Sequence, residues 1–75
     1  MNARYDDGKL AKIGDVFGSN LADIYYEIVD LRGIYVGAMR INKLGERTGD
    51  SVATVCLNNH VLIKRRKPKG GLEFL

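Results

Sequence analysis

The chain has 75 residues, of which 45% are hydrophobic and 28% charged, with a net charge of +3. This size and composition fit one globular domain with a thin core, and they exclude a second domain and a long disordered chain. No apolar run approaches the roughly 20 residues that a membrane-spanning helix needs. The N-terminus lacks the apolar stretch of a secretory signal, and the single cysteine excludes an internal disulfide. We therefore expect a cytoplasmic protein that does not contact a membrane.

The first residues favour a loose segment. Two aspartates and a glycine at residues 6–8 are typical of a turn, so we expect residues 1–8 to form a flexible arm. A single small domain is predicted over residues 9–66. Its first residues, 9–13, fit either a short strand or a helical turn.

The most β-prone segment follows. Isoleucine, tyrosine and valine dominate residues 22–31, which predicts a strand. A helix over residues 21–31 is the alternative, because the polar residues before it are suitable helix caps. A second strand is predicted over residues 34–41, and Arg32–Gly33 fits the tight turn of a hairpin between the two.

The second half of the chain contains further strand signals. Residues 43–50 are polar and contain two glycines, which predicts a mobile loop. Two more strands are expected over residues 51–57 and 60–66, joined into a second hairpin by Asn58–Asn59. Residues 67–75 form a basic and partly apolar tail, which we expect to dock on the domain or on a partner.

The pattern as a whole predicts a mostly β fold. Short antiparallel strands joined by tight turns must curl to hide their edges, so we expect a small SH3-like barrel of about five strands. The residues predicted to form its core are Phe17, Tyr26, Ile28, Val36, Met39, Val55, Leu57 and Leu62.

Both faces of the predicted central hairpin are apolar, although a half-buried strand alternates apolar and polar residues. With the turn at Arg32–Gly33, Leu31 opposes Ile34 and Val29 opposes Val36. We interpret the face that carries Tyr25 and Val29 as an interface for another protein, which is either a host protein or a second copy in a homodimer. The alternative is a bulge that turns more of these side chains inward. The predicted partner-binding residues are Tyr25, Val29, Leu31, Ile34 and Arg40.

Two sequence segments carry a resemblance to a known group. Residues 14–17 read Gly-Asp-Val-Phe, and residues 25–36 read Tyr-Tyr-Glu-Ile-Val-Asp-Leu-Arg-Gly-Ile-Tyr-Val. The stretch over residues 14–41 resembles small SH3-like, Tudor-like or KOW-like barrels of phages and plasmids. The resemblance implies a binding module without catalytic residues. In a phage or plasmid, such a protein would bind a host protein complex and inhibit or adapt it.

Charge is divided unevenly along the chain. Residues 1–31 carry a net charge of −3 and residues 32–75 a net charge of +6. A basic run near the C-terminus is typical either of a solvated strand end or of a surface that contacts phosphates or an acidic partner. The alternative function is therefore a nucleic-acid-binding domain that uses Arg40, Lys43, Arg47 and the basic run of residues 64–69. The predicted basic patch consists of Lys43, Arg47, Lys64, Arg65, Arg66, Lys67 and Lys69.

The residues that enzymes use for chemistry are scarce in this chain. Cys56 and His60 are its only cysteine and histidine, and the predicted second hairpin places them on opposite faces. The sequence contains neither a metal-ligand cluster nor a phosphate-binding loop. We therefore expect a non-enzymatic protein with no catalytic, cofactor-binding or metal-binding residues.

Overall fold

The computed structural model describes residues 2–19, 24–49, 51–58, 60–66 and 72–74. These residues form one antiparallel sheet with the spatial order β4-β3-β2-β1-β5-β6, and none of them is helical. The mostly β prediction is therefore confirmed, with six strands instead of about five. The strands are β1 (Asp15–Ser19), β2 (Ile24–Arg32), β3 (Tyr35–Ile41), β4 (Ala53–Val55), β5 (Leu62–Arg66) and β6 (Leu72–Phe74).

The central hairpin forms from β2 and β3, which makes the helix alternative wrong over the described part of residues 21–31. Its turn lies one residue later than predicted. Arg32 pairs with Tyr35, so Gly33 and Ile34 are the two turn residues. The tight turns of hairpins require a positive φ at the first central position, and Gly33 supplies it with a φ of 66°.

A bulge in β2 changes the rest of the register. The pairing shifts between Ile28 and Asp30, so that Val29 has no partner in β3. Because the turn lies one residue later, Leu31 pairs with Val36, so the predicted pairs of Leu31 with Ile34 and of Val29 with Val36 are both wrong. A bulge bends its strand and increases the local twist, which helps this small sheet to curve around a core.

The predicted second hairpin does not form. Within the described residues β4 pairs with β3, whereas β5 pairs with β1 on the other side of the sheet. The chain makes a short turn in which the His60 amide donates to the Leu57 carbonyl at 3.0 Å. Leu57 is buried in the core, and β5 lies beside β1 instead of reversing beside β4. This placement lets β5 cover an edge of β1 that would otherwise be open.

The segment predicted to be a flexible arm is ordered by contacts to the core. Ala3 and Tyr5 are each only 3% exposed. The Tyr5 amide donates to the Lys9 carbonyl at 2.9 Å, and the Asp6 amide donates to the His60 carbonyl at 2.9 Å. The turn signal at residues 6–8 therefore marks a small hairpin, not a loose end.

The apolar side chains form two clusters on the two faces of the sheet. Apart from Met39, all the predicted core residues belong to the main cluster or pack against it. The main cluster consists of Ala3, Tyr5, Ala11, Phe17, Ile28, Val36, Ala38 and Leu57, with Tyr26, Val55 and Leu62 packed against it. The second cluster contains Val16, Tyr25 and Ile41. Because neighbouring side chains in a strand point to opposite faces, this second cluster covers the other side of β1–β3.

The end of the chain docks on the sheet as expected. Residues 72–74 form β6, which pairs with residues 64–66 of β5. Part of the predicted basic run therefore lies in a strand with neighbours on both sides. Lys67 and Lys69 lie outside the described residues.

A glycine in β1 permits a close approach of β2. Gly18 has a φ of +143°, and a Cβ atom at this position would overlap with the main-chain carbonyl of Ile24. We expect Gly18→Ala to lower the free energy of unfolding by about 1–3 kcal/mol. Gly8→Ala is the matched control, because Gly8 also has a positive φ, +89°, but a Cβ atom added there would have no neighbour within 4 Å. If urea denaturation gave the same loss of unfolding free energy for Gly18→Ala and Gly8→Ala, backbone strain alone would account for the effect.

Candidate functional site

The structure divides the predicted partner-binding residues into buried and exposed ones. Tyr25 is 3% exposed and packs with Val16 and Ile41 in the second cluster, so it offers little surface to another chain. Val29 is half-buried at the bulge. The bulge alternative thus accounts for part of the two-sided apolar pattern.

Three apolar side chains at the tip of the β2–β3 hairpin are exposed. Leu31 is 45% exposed, Ile34 51% and Tyr35 43%. We call these three residues the hairpin-tip surface. Leu31 and Ile34 were predicted to contact a partner, whereas Tyr35 was not. Tyr35 lies directly after the turn and opposite Arg32, a position that the predicted register did not give it.

An open groove lies beside this surface, and we call it the tip groove. Its volume is about 560 Å³. Ile34 and Tyr35 provide apolar walls, and the exposed Cys56 lies after β4. The guanidinium of Arg4 is held in place because Nη1 donates to the Gly8 carbonyl at 3.0 Å. The lining residues are Asn2, Ala3, Arg4, Ile34, Tyr35, Cys56 and Asn58.

A small polar network joins the hairpin to β4. Arg32 Nε donates to Asp30 Oδ2 at 3.0 Å, and Arg32 Nη1 donates to Thr54 Oγ1. These side chains lie over Gly37, where a Cβ atom would come within 3.1 Å of Val52, Asp30 and Arg32. The network is electrically neutral and connects β2 to β4 across the glycine of β3.

The described main chain places the predicted basic residues in two parts of the sheet, at the end of β3 and in β5. Arg40, Lys43 and Arg47 are exposed and have no ion pair with any described residue. Arg47 lies opposite Ile41 in an antiparallel bridge, so the alternation of side chains places it on the other face from Arg40. The strands β1 and β2 separate these residues from the run in β5. Nucleic-acid binding by this set stays a prediction.

The loop that carries two of these cations is ordered by hydrogen bonds, which corrects the prediction of a mobile loop. Asn42 Oδ1 accepts from the amides of Leu44 at 2.9 Å and Glu46 at 3.0 Å. Asn42 Nδ2 donates to Glu46 Oε1 at 3.0 Å. An asparagine at the start of a polar segment was the available signal for this turn.

Sequence reasoning also missed a buried carboxylate. Asp15 has no exposed surface, and its Oδ2 accepts from the Tyr5 hydroxyl at 3.0 Å and from the Lys12 amide at 2.9 Å. It connects the N-terminal hairpin to the start of β1. We assign it a structural role because both bonds join parts of the scaffold.

Cys56 and His60 have different surroundings. The His60 ring packs against Phe17 with 5.0 Å between ring centroids, whereas Cys56 is exposed in the tip groove. Among the residues that the structure describes, no three histidine, cysteine or acidic side chains are grouped to hold a metal ion. The same residues include no helix capable of crossing a membrane.

No family model, curated protein or solved structure matches this chain. Its function is therefore inferred from its own geometry.

Proposed function

We propose that this chain is a non-enzymatic protein-binding module whose partner contacts the hairpin-tip surface and the tip groove. One observation carries the proposal. Leu31, Ile34 and Tyr35 are 43–51% exposed within five residues, while most other apolar side chains of β2 and β3 are buried. Apolar side chains grouped beside a groove are typical of surfaces that another protein covers.

The polar network behind the tip supports this role. Arg32 Nη1 donates to Thr54 of β4, and Arg32 Nε donates to Asp30 on its own strand, which fixes the guanidinium between the hairpin and β4. A surface that is already ordered loses less conformational entropy when a partner binds. The tip therefore presents its apolar side chains at a small entropic cost.

The groove indicates the chemistry of the partner. Ile34 and Tyr35 form apolar walls, while Asn2, Arg4 and Asn58 provide a polar rim. This combination suits an apolar or aromatic side chain from the partner, with hydrogen bonds from the rim to the neighbouring main chain. We expect such a side chain to supply the largest single contribution to binding.

The proposal includes a closed, SH3-like barrel. Its support is the main cluster, against which Val55 of β4 and Leu62 of β5 both pack although three strands lie between β4 and β5 in the sheet. Strands so far apart share a core only if the sheet curls. In this strand order closure brings the edge strands β4 and β6 together. Nuclear Overhauser contacts between the main-chain protons of β4 and β6 would support closure, and their absence would contradict it.

The test of the binding surface compares two variants. The double variant Ile34→Ser/Tyr35→Ser removes the apolar walls, and Leu44→Ser is the matched control because Leu44 is 69% exposed in a different loop. The wild type and both variants are used to capture proteins from the lysate of the source cells. The captured partner is then titrated against the wild type, the double variant and the control. We expect the double variant to bind at least about 30-fold more weakly, as for loss of one hot-spot residue, and the control to bind like the wild type.

Two outcomes would contradict the proposal. Equal affinity of the double variant and the wild type would show that the tip is not the contact. A captured nucleic acid whose binding weakens with salt but not with the tip substitutions would favour the alternative function.

A further inference from the structure

Arg4 is the one charged side chain among the described residues that line the tip groove. Its main chain is fixed by an antiparallel bridge to Leu10, and its neighbours Ala3 and Tyr5 are buried in the main cluster. Because neighbouring side chains of an extended segment point to opposite sides, burial of these two neighbours directs the Arg4 side chain outward. The fold therefore sets the position of this cation at the groove.

The Arg4 guanidinium is held in place but its charge is not neutralised. Its Nη1 atom donates to the Gly8 carbonyl at 3.0 Å, and neither Nε nor Nη2 donates to any residue that the structure describes. The nearby carboxylate of Asp7 pairs with Lys9 at 3.9 Å instead. The Nε and Nη2 atoms form the forked edge through which a guanidinium binds a carboxylate with two parallel hydrogen bonds. This edge of Arg4 is available to an anionic group of a partner.

The other described lining residues add no charge of either sign. Asn2 and Asn58 provide neutral amide groups, while Ile34 and Tyr35 provide the apolar walls. Arg4 therefore gives the groove a net positive charge. A surface of this kind is complementary to a ligand that combines an apolar group with a negative one.

We propose that the tip groove binds an extended segment of an acidic partner protein, in which a glutamate or aspartate pairs with Arg4. An apolar or aromatic side chain two residues away in that segment lies against Ile34 and Tyr35. The inference rests on the proposed function and adds the charge and the residue spacing of the partner. The spacing follows because residues two apart in an extended segment point to the same side.

The size and the donors of the groove support this choice of ligand. A volume of about 560 Å³ lies within the range of about 300–1,000 Å³ that is usual for ligand sites, so the groove has room for both side chains. A free C-terminal carboxylate is typically captured by clustered main-chain amides. The groove instead offers the side-chain donors of Arg4, Asn2 and Asn58, so the carboxylate is assigned to an internal side chain.

Selection from a library of random peptides tests the proposed spacing. The peptides are displayed with their C-termini fused to the carrier, so that side chains supply their only carboxylates. We expect the wild type to enrich an apolar and an acidic residue two positions apart, and Arg4→Gln to enrich the apolar residue alone. Arg47→Gln is the matched control, because it removes the same charge from an exposed residue beside the other end of β3. We expect this control to retain the acidic preference.

Titration with one enriched peptide, synthesised with an amidated C-terminus, measures the ion pair. We expect Arg4→Gln, and separately replacement of the acidic peptide residue by its amide, to weaken binding at least about 10-fold. The two changes together are expected to weaken it hardly further, because both remove the same interaction. Asn58→Asp is a second variant, which leaves the bond between Arg4 and Gly8 in place and adds a competing carboxylate to the groove. It is also expected to weaken binding, and melting temperatures show whether each variant is folded.

The outcomes separate this inference from the proposed function. Equal acidic enrichment by the wild type and Arg4→Gln, or enrichment of apolar residues alone by the wild type, would overturn the inference without contradicting tip binding. A short oligothymidylate that binds the wild type more tightly than the peptide, and loses this affinity in Arg4→Gln, would assign the cation to nucleic acid and overturn it as well. Equal enrichment of every peptide by the wild type and Ile34→Ser/Tyr35→Ser would contradict both the inference and the proposed function.

Discussion

Ile28→Ala is expected to lower the free energy of unfolding by about 2–5 kcal/mol, because it removes a fully buried side chain and leaves a cavity. Ile28 has no exposed surface and lies in the main cluster, next to the bulge of β2. Small domains have total stabilities near the low end of about 5–15 kcal/mol, so much of the variant is expected to be unfolded at 25 °C. Urea denaturation followed by circular dichroism measures the change.

Leu31→Ala on the same strand is the control for this prediction. Leu31 is 45% exposed at the hairpin tip, so its truncation is expected to change the free energy of unfolding by less than about 1 kcal/mol. If both variants lost the same stability, Ile28 would not be the centre of the core.

Asp15→Ala is expected to have the second large effect, a loss of about 2–5 kcal/mol. The substitution removes the carboxylate acceptor of a buried donor, the Tyr5 hydroxyl, and of a partly buried one, the Lys12 amide. Each unsatisfied donor costs about 1–3 kcal/mol. Thermal and urea denaturation measure the loss, and a double-mutant cycle with Tyr5→Phe measures the coupling between the two side chains.

Asp7→Ala is the matched control for the buried carboxylate. Asp7 is exposed, and its Oδ1 accepts from the Lys9 amide at 3.1 Å in a turn of the same hairpin. We expect it to cost less than about 1 kcal/mol. Zero coupling between Asp15 and Tyr5 would contradict the structural role assigned to their hydrogen bond.

The strands of the central hairpin were predictable because they depend on local sequence. The β-branched and aromatic residues of β2 and β3 give a strong strand signal, and Gly33 marks the turn. The register was not predictable to the residue, because no side-chain pattern shows which residue of a strand will bulge. Leaving Val29 unpaired shifted the neighbouring pairs and moved Tyr25 from the predicted interface into the second cluster.

Pairings between distant segments explain the other differences. The sequence around Asn58–Asn59 fits a hairpin, yet Leu57 is buried in the core and β5 pairs with β1 instead of with β4. Likewise, the bond between Tyr5 and Asp15 depends on the folded N-terminal hairpin. For the candidate site, the sequence indicated Leu31 and Ile34, but the groove beside them combines three separate segments.

The pairing of β1 with β5 also constrains when the protein can fold during synthesis. Val16 in β1 pairs with Lys64 in β5, about 50 positions further along the chain. While the ribosome is still making the second half, β1 has only β2 as a neighbour and its other edge is open. The nascent chain therefore exposes a pairing-competent edge until residues 62–66 have emerged. Slow translation over the second half would prolong that exposure and favour aggregation of the incomplete chain.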